Sequence, residues 1–267
     1  MTFSIHESIS PGADQIDYTY IYQDVHREPA REEFHLLREK LTIPGSADLI
    51  ERPRIKSLLD RSVVQFPATL ISGRAGTGKT SIAASFVAGK KNVSWYSVET
   101  TDVEWPIFAR YFSASLANPA VGGEKRPNNM GPQPSSVSPT EIARFLVNRF
   151  ASAYAGPPVG PSLVVLDDIH HLFDAPWFDD FFNLLLYSLP PETHLLLLCR
   201  SRPPSPLWRL RSKQMLNVLD EKVIAFDTTE TESLFKKLGQ SAADARDAQV
   251  RCFGRVSKLL QAAYEPV

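Results

Sequence analysis

The sequence has 267 residues, of which 43% are hydrophobic and 22% are charged. Its 29 lysines and arginines balance 30 acidic residues to a formal charge of −1, which argues against a protein that binds nucleic acid or an anionic membrane over its bulk surface. Two cysteines, Cys199 and Cys252, are too few for a disulfide framework or a cysteine-rich zinc site.

The first 45 residues are polar and mixed, and we expect them to form a partly flexible N-terminal arm. Tyr18, Tyr20 and Tyr22 recur at every second position, which favours a short strand, and residues 31–41 have the apolar spacing of an amphipathic helix. The chain opens without a basic segment followed by an apolar run, and no stretch approaches the roughly 18 apolar residues that span a bilayer. The expected location is therefore the cytoplasm.

Strands and helices alternate along most of the remaining chain. Strands are predicted at residues 68–72, 92–99, 162–172 and 193–201, and helices after the first strand and at residues 104–117, 140–155 and 178–189. The strands are continuous apolar runs, which is typical of a parallel sheet covered by helices on both faces. Residues 118–139 are rich in Pro, Gly, Asn and Ser and predict a loop or linker.

A glycine-rich loop between the first strand and its helix is the strongest motif. It reads GRAGTGKT and satisfies G-x-x-x-x-G-K-[ST] in full, as in a P-loop that binds the phosphates of ATP or ADP. We predict that Lys79 reaches the β- and γ-phosphates, that the Thr80 hydroxyl coordinates Mg²⁺, and that Ser81 helps to hold the α-phosphate. The predicted nucleotide-binding residues of this loop are Gly73, Arg74, Ala75, Gly76, Thr77, Gly78, Lys79, Thr80 and Ser81.

Two acids follow the apolar run at residues 163–166, the pattern of the strand that holds the metal in P-loop NTPases. We predict that Asp167 holds Mg²⁺ through its hydration shell and that Asp168 polarises the attacking water. His170 and His171 come next. Because no Cys or His cluster with zinc spacing accompanies them, a structural role is expected for both.

The next apolar strand runs into Arg200. A cation at this strand end can face the γ-phosphate, where it would report nucleotide state and stabilise charge in the transition state. The run that contains it, residues 200–213, also holds Arg202, Arg209, Arg211 and Lys213. Two interpretations of this run stay open: a solvated loop, which its prolines favour, and a basic patch for nucleic acid.

In chain order these blocks resemble the ATPase module of the STAND class of P-loop NTPases, in the branch of the maltose-regulon activator and the large ATP-binding LuxR-type regulators. The similarity runs from about residue 42 to about residue 262. It is carried by RPRI at 52–55, the glycine loop, SWYSV at 94–98, the acidic strand, and the block at 194–211. The tryptophan strand and the Pro-rich arginine block are specific to this branch, whereas the glycine loop is generic.

The resemblance implies an α/β fold, a P-loop NTPase with a three-layer α/β/α arrangement around a central parallel sheet. The nucleotide-binding domain would span residues 46–226 and a small helical lid would begin within 227–267, after the arm of residues 1–45. ATP or ADP and Mg²⁺ are the implied ligands. Arg54 is implied near the adenine, and Arg200 falls on the family's sensor arginine.

The implied function is a signalling switch that hydrolyses ATP slowly. Its ADP form would rest, its ATP form would self-associate or bind a protein partner, and hydrolysis would reset it. Two departures bear on this: Val256 stands where the family has a proline that caps the adenine, and the family's winged helix, superhelical sensor and DNA-binding helix-turn-helix are not found in the sequence.

Other functions stay open. The departures favour a non-hydrolysing, nucleotide-binding scaffold that partners a longer regulator, or a fragment of a transcription regulator. Direct binding of nucleic acid or of a membrane is not expected. A small kinase is disfavoured, because the sequence has no evident acceptor-binding lid with clustered arginines.

Overall fold

The computed structural model describes residues 36–45, 49–117 and 162–264. Residues Leu37–Val267 group into one compact unit, which contains every element below. The strand predicted around Tyr20, the loop at 118–139 and the helix at 140–155 lie outside the described residues. Of the helix predicted at 31–41, the described part forms a turn of 3₁₀ helix, Arg38–Leu41. No helix among the described residues is long and apolar enough to cross a membrane.

Five parallel strands form the described sheet, in the order β2-β3-β4-β1-β5. They are β1 (Ala68–Ser72), β2 (Val93–Ser97), β3 (Ser162–Asp167), β4 (Thr193–Cys199) and β5 (Leu216–Leu219). Every residue of β3 and β4 is buried, which explains why both read as unbroken apolar runs. The register pairs Ser72 with Cys199 and Ser97 with Asp167, so the carboxyl ends of these strands meet at one edge.

Helices cover both faces of this sheet. They are α1 (Pro53–Gln65), α2 (Lys79–Val87), α3 (Trp105–Ala117), α4 (Phe178–Ser188), α5 (Ser205–Ser212), α6 (Glu221–Ile224), α7 (Thr228–Lys237), α8 (Ala242–Cys252) and α9 (Val256–Tyr264). Helices α1 and α2 pack on one face of the sheet, and α3 and α4 pack on the other. The predicted three-layer α/β/α fold is confirmed.

Adjacent residues of β2 show the two layers of the core. Trp95 packs with the side chains of α1 and α2, including Leu59. Tyr96 points to the opposite face, where its ring lies 5.8 Å from that of Phe108 and belongs to an aromatic layer shared with α4. Because successive side chains of a strand alternate between faces, this one strand anchors both layers.

Most of the run at 200–213 forms a helix, so the solvated loop favoured by its prolines is wrong there. Helix α5 begins at Ser205, with Pro204 at its N-cap. Proline is tolerated there because the first N–H groups of a helix have no intrahelical partner. Leu207 and Leu210 of this helix are buried, whereas Trp208 lies on its outer side. The prolines therefore mark the start of a helix.

The last three helices, α7 to α9, enclose a small core of their own around Phe235, Ala245 and Leu259. Capping boxes begin the first two of these helices, one between Asp227 and Glu230 and one between Ser241 and Asp244. We call α7 to α9 the lid.

A buried polar chain crosses the sheet near the amino ends of its strands. His194 Nδ1 lies 2.8 Å from the carbonyl oxygen of Phe66, which can only accept, so this nitrogen carries the proton. His194 Nε2 then accepts from Thr69 Oγ1 at 2.9 Å. Ser62 Oγ donates to Thr69 and accepts from Asn217 Nδ2. Burial lowers the pKa of His194 to about 4, so the ring is neutral.

We predict that this histidine makes the fold less stable in mild acid. Because the pKa of His194 is depressed in the folded state, the unfolded chain binds the proton first as the pH falls from about 6.5 toward about 4. The free energy of unfolding, measured with urea, should fall by about 2 kcal/mol more between pH 7 and pH 5 in the wild type than in His194→Gln. His171→Gln, outside this chain of hydrogen bonds, should behave as the wild type. Equal pH dependence in wild type and His194→Gln would contradict the assignment.

Candidate nucleotide-binding site

The glycine loop joins β1 to α2 at the carboxyl edge of the sheet, as the motif requires. Gly76 has φ +76°, a left-handed conformation that a glycine adopts without strain. Lys79 is buried, and its Nζ donates to the carbonyl oxygens of Gly73 at 2.7 Å and Arg74 at 3.1 Å. Burial lowers the pKa of Lys79. The ammonium group therefore lies inside the curl of the loop, where a phosphate would be bound.

The oxygen ligands expected for Mg²⁺ lie together beside this loop. Thr80 Oγ1 donates to Asp167 Oδ2 at 2.8 Å. Burial raises the pKa of Asp167, since the carboxylate is nearly removed from water. A hydroxyl and a buried carboxylate form a hard oxygen donor set, and a divalent cation would offset the cost of burying that charge. These residues fit Mg²⁺.

Arg200 and Asp168 form a two-point ion pair. Arg200 Nε and a terminal nitrogen of its guanidinium donate to the two carboxylate oxygens of Asp168 at 3.0 and 2.6 Å. This pair forms because β4 lies between β1 and β3, which brings the end of β4 between the glycine loop and the acidic strand. Asp168, which is predicted to polarise water, and Arg200, the predicted sensor, are therefore hydrogen-bonded to each other in this structure.

His170 lies next to this pair, with Nδ1 3.7 Å from Asp168 Oδ1. Burial lowers the pKa of His170, which favours a neutral ring. Among the described residues, no group of three or more His, Cys, Asp and Glu side chains could hold a metal ion.

A cavity of about 630 Å³ opens beside the glycine loop. It lies between the segment before α1, helix α2 and the lid, and its size is that of a small-molecule site. Residues that line it include Ile50, Arg52, Ile55, Gly78, Ser81, Ile82, Phe226, Val256 and Leu260. Apolar walls next to a phosphate loop fit a nucleobase and its ribose.

Arg52 is a candidate residue that the sequence prediction missed. It lines the cavity, whereas Arg54 is not among the lining residues. The Arg52 side chain is 8% exposed, donates to Glu230 at 2.7 Å and stacks over Phe226 at 4.1 Å. Its Nε and one terminal nitrogen find no hydrogen-bond partner among the described residues. The sequence RPR at residues 52–54 contains two arginines, and the sequence alone does not indicate which of them lines the cavity.

Arg54 instead links α1 to the end of α6 and to the first helix of the lid. Its terminal nitrogens donate to the carbonyl oxygens of Val223 and Ala225, both at 2.8 Å, and one of them also reaches Glu230 at 3.1 Å. Its proposed contact with adenine stays a prediction.

The start of α9 lies directly on the glycine loop. The backbone N–H of Ser257 donates to the carbonyl oxygen of Gly76 at 3.0 Å, and Arg255 donates to that of Ala75. Val256, which replaces the family's proline, lines the cavity beside Gly78. The lid is therefore seated on the phosphate loop by hydrogen bonds to its backbone.

The structure brings the predicted loop residues, from Gly73 to Ser81, together with Asp167, Asp168 and Arg200 at one edge of the sheet. Arg74 links the glycine loop to α6. Its guanidinium and its backbone N–H both donate to Glu221, the first residue of α6.

The sheet order, the glycine loop and the acidic strand end define a P-loop NTPase. Within that class, the chain resembles the MalT-like regulators. It is 29% identical over 212 residues to the HTH-type transcriptional regulator MalT of Vibrio cholerae and 29% identical over 219 residues to that of Vibrio parahaemolyticus. Each alignment covers 78% of this chain but 22% of the relative, so the chain spans under a quarter of the relatives' length. No protein-family model matches the chain.

Solved structures support the same fold. A Walker-type ATPase of Pyrococcus abyssi superposes with a TM-score of 0.54 at 12% identity, covering 81% of this chain and 67% of that one. A STAND protein with a tetratricopeptide repeat sensor from Pyrococcus horikoshii gives a TM-score of 0.55 at 14% identity. The superposition covers 85% of this chain and 31% of the Pyrococcus horikoshii chain. At such identities the likeness shows the fold alone.

We predict that Gly76→Ala separates the lid from the loop. A Cβ at Gly76 would collide with the Ser257 side chain, whereas one at Gly89, which has the same φ of +76°, meets nothing within 4 Å. Both alanine substitutions introduce the same backbone strain, so the difference between them reports the collision with Ser257. Gly76→Ala should therefore lower the free energy of unfolding by about 1–3 kcal/mol more than Gly89→Ala does. Adding Ser257→Gly should recover much of that difference. Equal losses at the two glycines would show that the lid does not rest on the loop.

Proposed function

We propose that the chain is an Mg²⁺-dependent, ATP-binding signalling switch of the STAND type, with slow hydrolysis and nucleotide-controlled protein association. The observation that carries this proposal is the ion pair between Asp168 and Arg200. A water-polarising carboxylate that is held by the sensor arginine is suited to a resting state, and ATP can change that state by competing for the arginine.

Nucleotide binding follows from the glycine loop and the neighbouring cavity. The loop's backbone N–H groups and Lys79 bind the phosphates, and the apolar cavity takes the base. Arg52 is proposed to donate to the base from its unpartnered nitrogens. Thr80 and Asp167 are proposed to hold Mg²⁺, which supplies charge neutralisation at the β- and γ-phosphates when bound.

Hydrolysis needs the Asp168 carboxylate to be free to orient water. In the described pair, both of its oxygens accept from Arg200. A γ-phosphate beside the loop offers Arg200 another anion, and Asp168 is then free to accept a proton from water. We expect this exchange of partners to slow turnover, because each cycle must first break the ion pair.

What the similar proteins are bears on the setting in which such a switch would act. The curated relatives are HTH-type transcriptional regulators, and one structural neighbour is a STAND protein with a repeat sensor. We propose by this likeness that the chain works in transcriptional signalling in the cytoplasm. Because it spans 22% of its curated relatives, sensing and DNA binding by this chain are not part of the proposal.

A second function, a non-hydrolysing scaffold, is favoured by one feature. Val256 at the lid contact lacks the fixed ring of the family's proline, which weakens the expected link between lid and base. In that case nucleotide would stabilise the domain without being turned over.

Purified protein should contain bound nucleotide and release phosphate slowly in the presence of Mg²⁺. Lys79→Ala should bind nucleotide roughly tenfold more weakly or worse, because a charged contact with phosphate is lost. Asp168→Ala should keep nucleotide but lower phosphate release by about 100-fold. Asp60→Asn, on the far surface of α1, is the matched control.

Three results can be separated in this assay. Release that is abolished in both site variants supports the switch. Bound nucleotide without release from the wild type supports the scaffold. A wild-type protein that binds no nucleotide contradicts both proposals.

The ion pair also predicts which nucleotide is preferred. ADP leaves the pair between Asp168 and Arg200 intact, whereas a γ-phosphate must break it. Asp168→Asn should therefore shift the ratio of dissociation constants toward a non-hydrolysable ATP analogue, by up to about fivefold for a partly exposed pair. Arg200→Gln should shift that ratio toward ADP, because the γ-phosphate loses its partner. Calorimetric titration measures both, and shifts of the same sign would contradict the competition.

A further inference from the structure

The outer side of α5 and the end of α4 form a surface of cations and aromatic rings. Tyr187 is 54% exposed and Trp208 is 39% exposed, and both are flanked by cations. Lys213 Nζ donates to the Tyr187 hydroxyl at 2.8 Å, and the Arg211 guanidinium lies 5.3 Å from the Trp208 ring. With Arg209, these residues make up what we call the basic-aromatic end.

Acidic residues are absent from the chain segment that carries these cations, although Glu192 immediately precedes it and Asp220 follows it. The sequence has no Asp or Glu from Thr193 to Leu219. In the described part of the chain, Arg209, Arg211 and Lys213 form no ion pair with a carboxylate, although other surface cations do. Exposed Trp, Tyr and Arg together are the composition of protein interface hot spots. This surface is therefore suited to an acidic partner.

An acidic surface lies at the other end of α4. Asp179 and Asp180 open this helix, Asp174 lies in the turn before it, and all three are exposed. Glu104 is exposed nearby, since its neighbour Val103 accepts a hydrogen bond from Trp177 at the N-cap of α4. None of these four acids forms an ion pair within the described residues. We call them the acidic end.

The two ends lie at opposite ends of α4 and carry opposite charge. Asp180 and Tyr187 are seven positions apart on α4, which is about 10 Å along the helix axis. A face that is acidic at one end and basic at the other becomes self-complementary when a second copy is rotated by 180°. We infer that this face binds a second copy of the chain in a two-fold dimer, with the acidic end of each α4 against the basic-aromatic end of its partner.

Single-stranded nucleic acid is the other anion that aromatic rings and cations recognise. The acidic end argues against it, because Asp180, about 10 Å from Tyr187 along α4, and the other exposed carboxylates of that end would repel a phosphate backbone that ran along this face. A second copy turns the same carboxylates into contacts. A second copy of the chain is therefore the partner that would contact both the acidic end and the basic-aromatic end.

This inference rests on the self-association in the proposed function and names its surface. Both ends are connected to the nucleotide site along the chain. The acidic end begins six residues after Asp168, and the basic-aromatic end of α5 begins eight residues after Arg200. A change in the ion pair between Asp168 and Arg200 is thus placed to alter the spacing of the two ends.

Charge reversal with mixing tests the dimer. Sedimentation velocity of the full chain is measured over a micromolar concentration series in ADP and in a non-hydrolysable ATP analogue. The wild type should dimerise in at least one of these states. Asp179→Lys/Asp180→Lys and Arg209→Glu/Arg211→Glu should each be monomeric, because both contact sets then bring like charges together. An equimolar mixture of the two variants should form dimers again, since both sets become complementary.

Controls separate this inference from others. Lys236→Glu/Lys258→Glu changes the charge of the lid by the same amount and should dimerise as the wild type. Trp208→Ala should raise the dissociation constant about tenfold or more, and added salt should weaken the dimer. Mixtures that grow beyond dimers would indicate head-to-tail chains and overturn the two-fold arrangement.

Further outcomes overturn the inference in distinct ways. Self-association that persists in both reversed variants places the interface elsewhere, while the proposed function stands. A monomeric wild type that binds labelled single-stranded DNA, and loses it in Arg209→Glu/Arg211→Glu, assigns the face to nucleic acid. A monomeric wild type that binds no DNA overturns the dimer, and bound nucleotide in the same sample shows whether the proposed function fails with it.

Discussion

The position of β4 between β1 and β3 is the constraint on which the site depends. Parallel strands end at one edge of the sheet, so this order places Arg200 between the glycine loop and the acid pair. The ion pair between Arg200 and Asp168 is thus a product of sheet order, and the proposed chemistry follows from it.

The lid is held by contacts on two sides of the cavity. On one side, Glu230 accepts from Arg52, which ties α7 to the segment before α1. On the other, Phe226 N donates to the carbonyl oxygen of Gly254 at 2.9 Å, and a Cβ at Gly254 would collide with Phe226. Gly254 has φ +71°, so glycine is required there for both reasons. Arg52 and Phe226 thus both line the cavity and bond to residues of the lid region.

The sequence predicted what local pattern determines. The glycine loop and the acidic strand were found because each motif is complete within a few residues. The partner of Arg200 and the cavity role of Arg52 depend on contacts between distant segments, which no local pattern contains. Strand β5 was missed because it is short and half-buried, with Asn217 in its middle. The sequence around Pro204 suits a loop as well as a helix, because proline is common both at the start of a helix and in loops.

The same prolines affect how a nucleotide signal would travel. Arg200 is joined to α5 by Ser201, Arg202, Pro203 and Pro204, and proline fixes φ, so this connection is short and stiff. On the other strand, Asp168 leads into the turn that carries Asp174 and then into α4. In the proposed dimer, a displacement of either ion-pair partner would therefore be passed to its own end of the α4–α5 face. In a two-fold dimer the same displacement would occur in both copies. Its effect on the interface would therefore be counted twice.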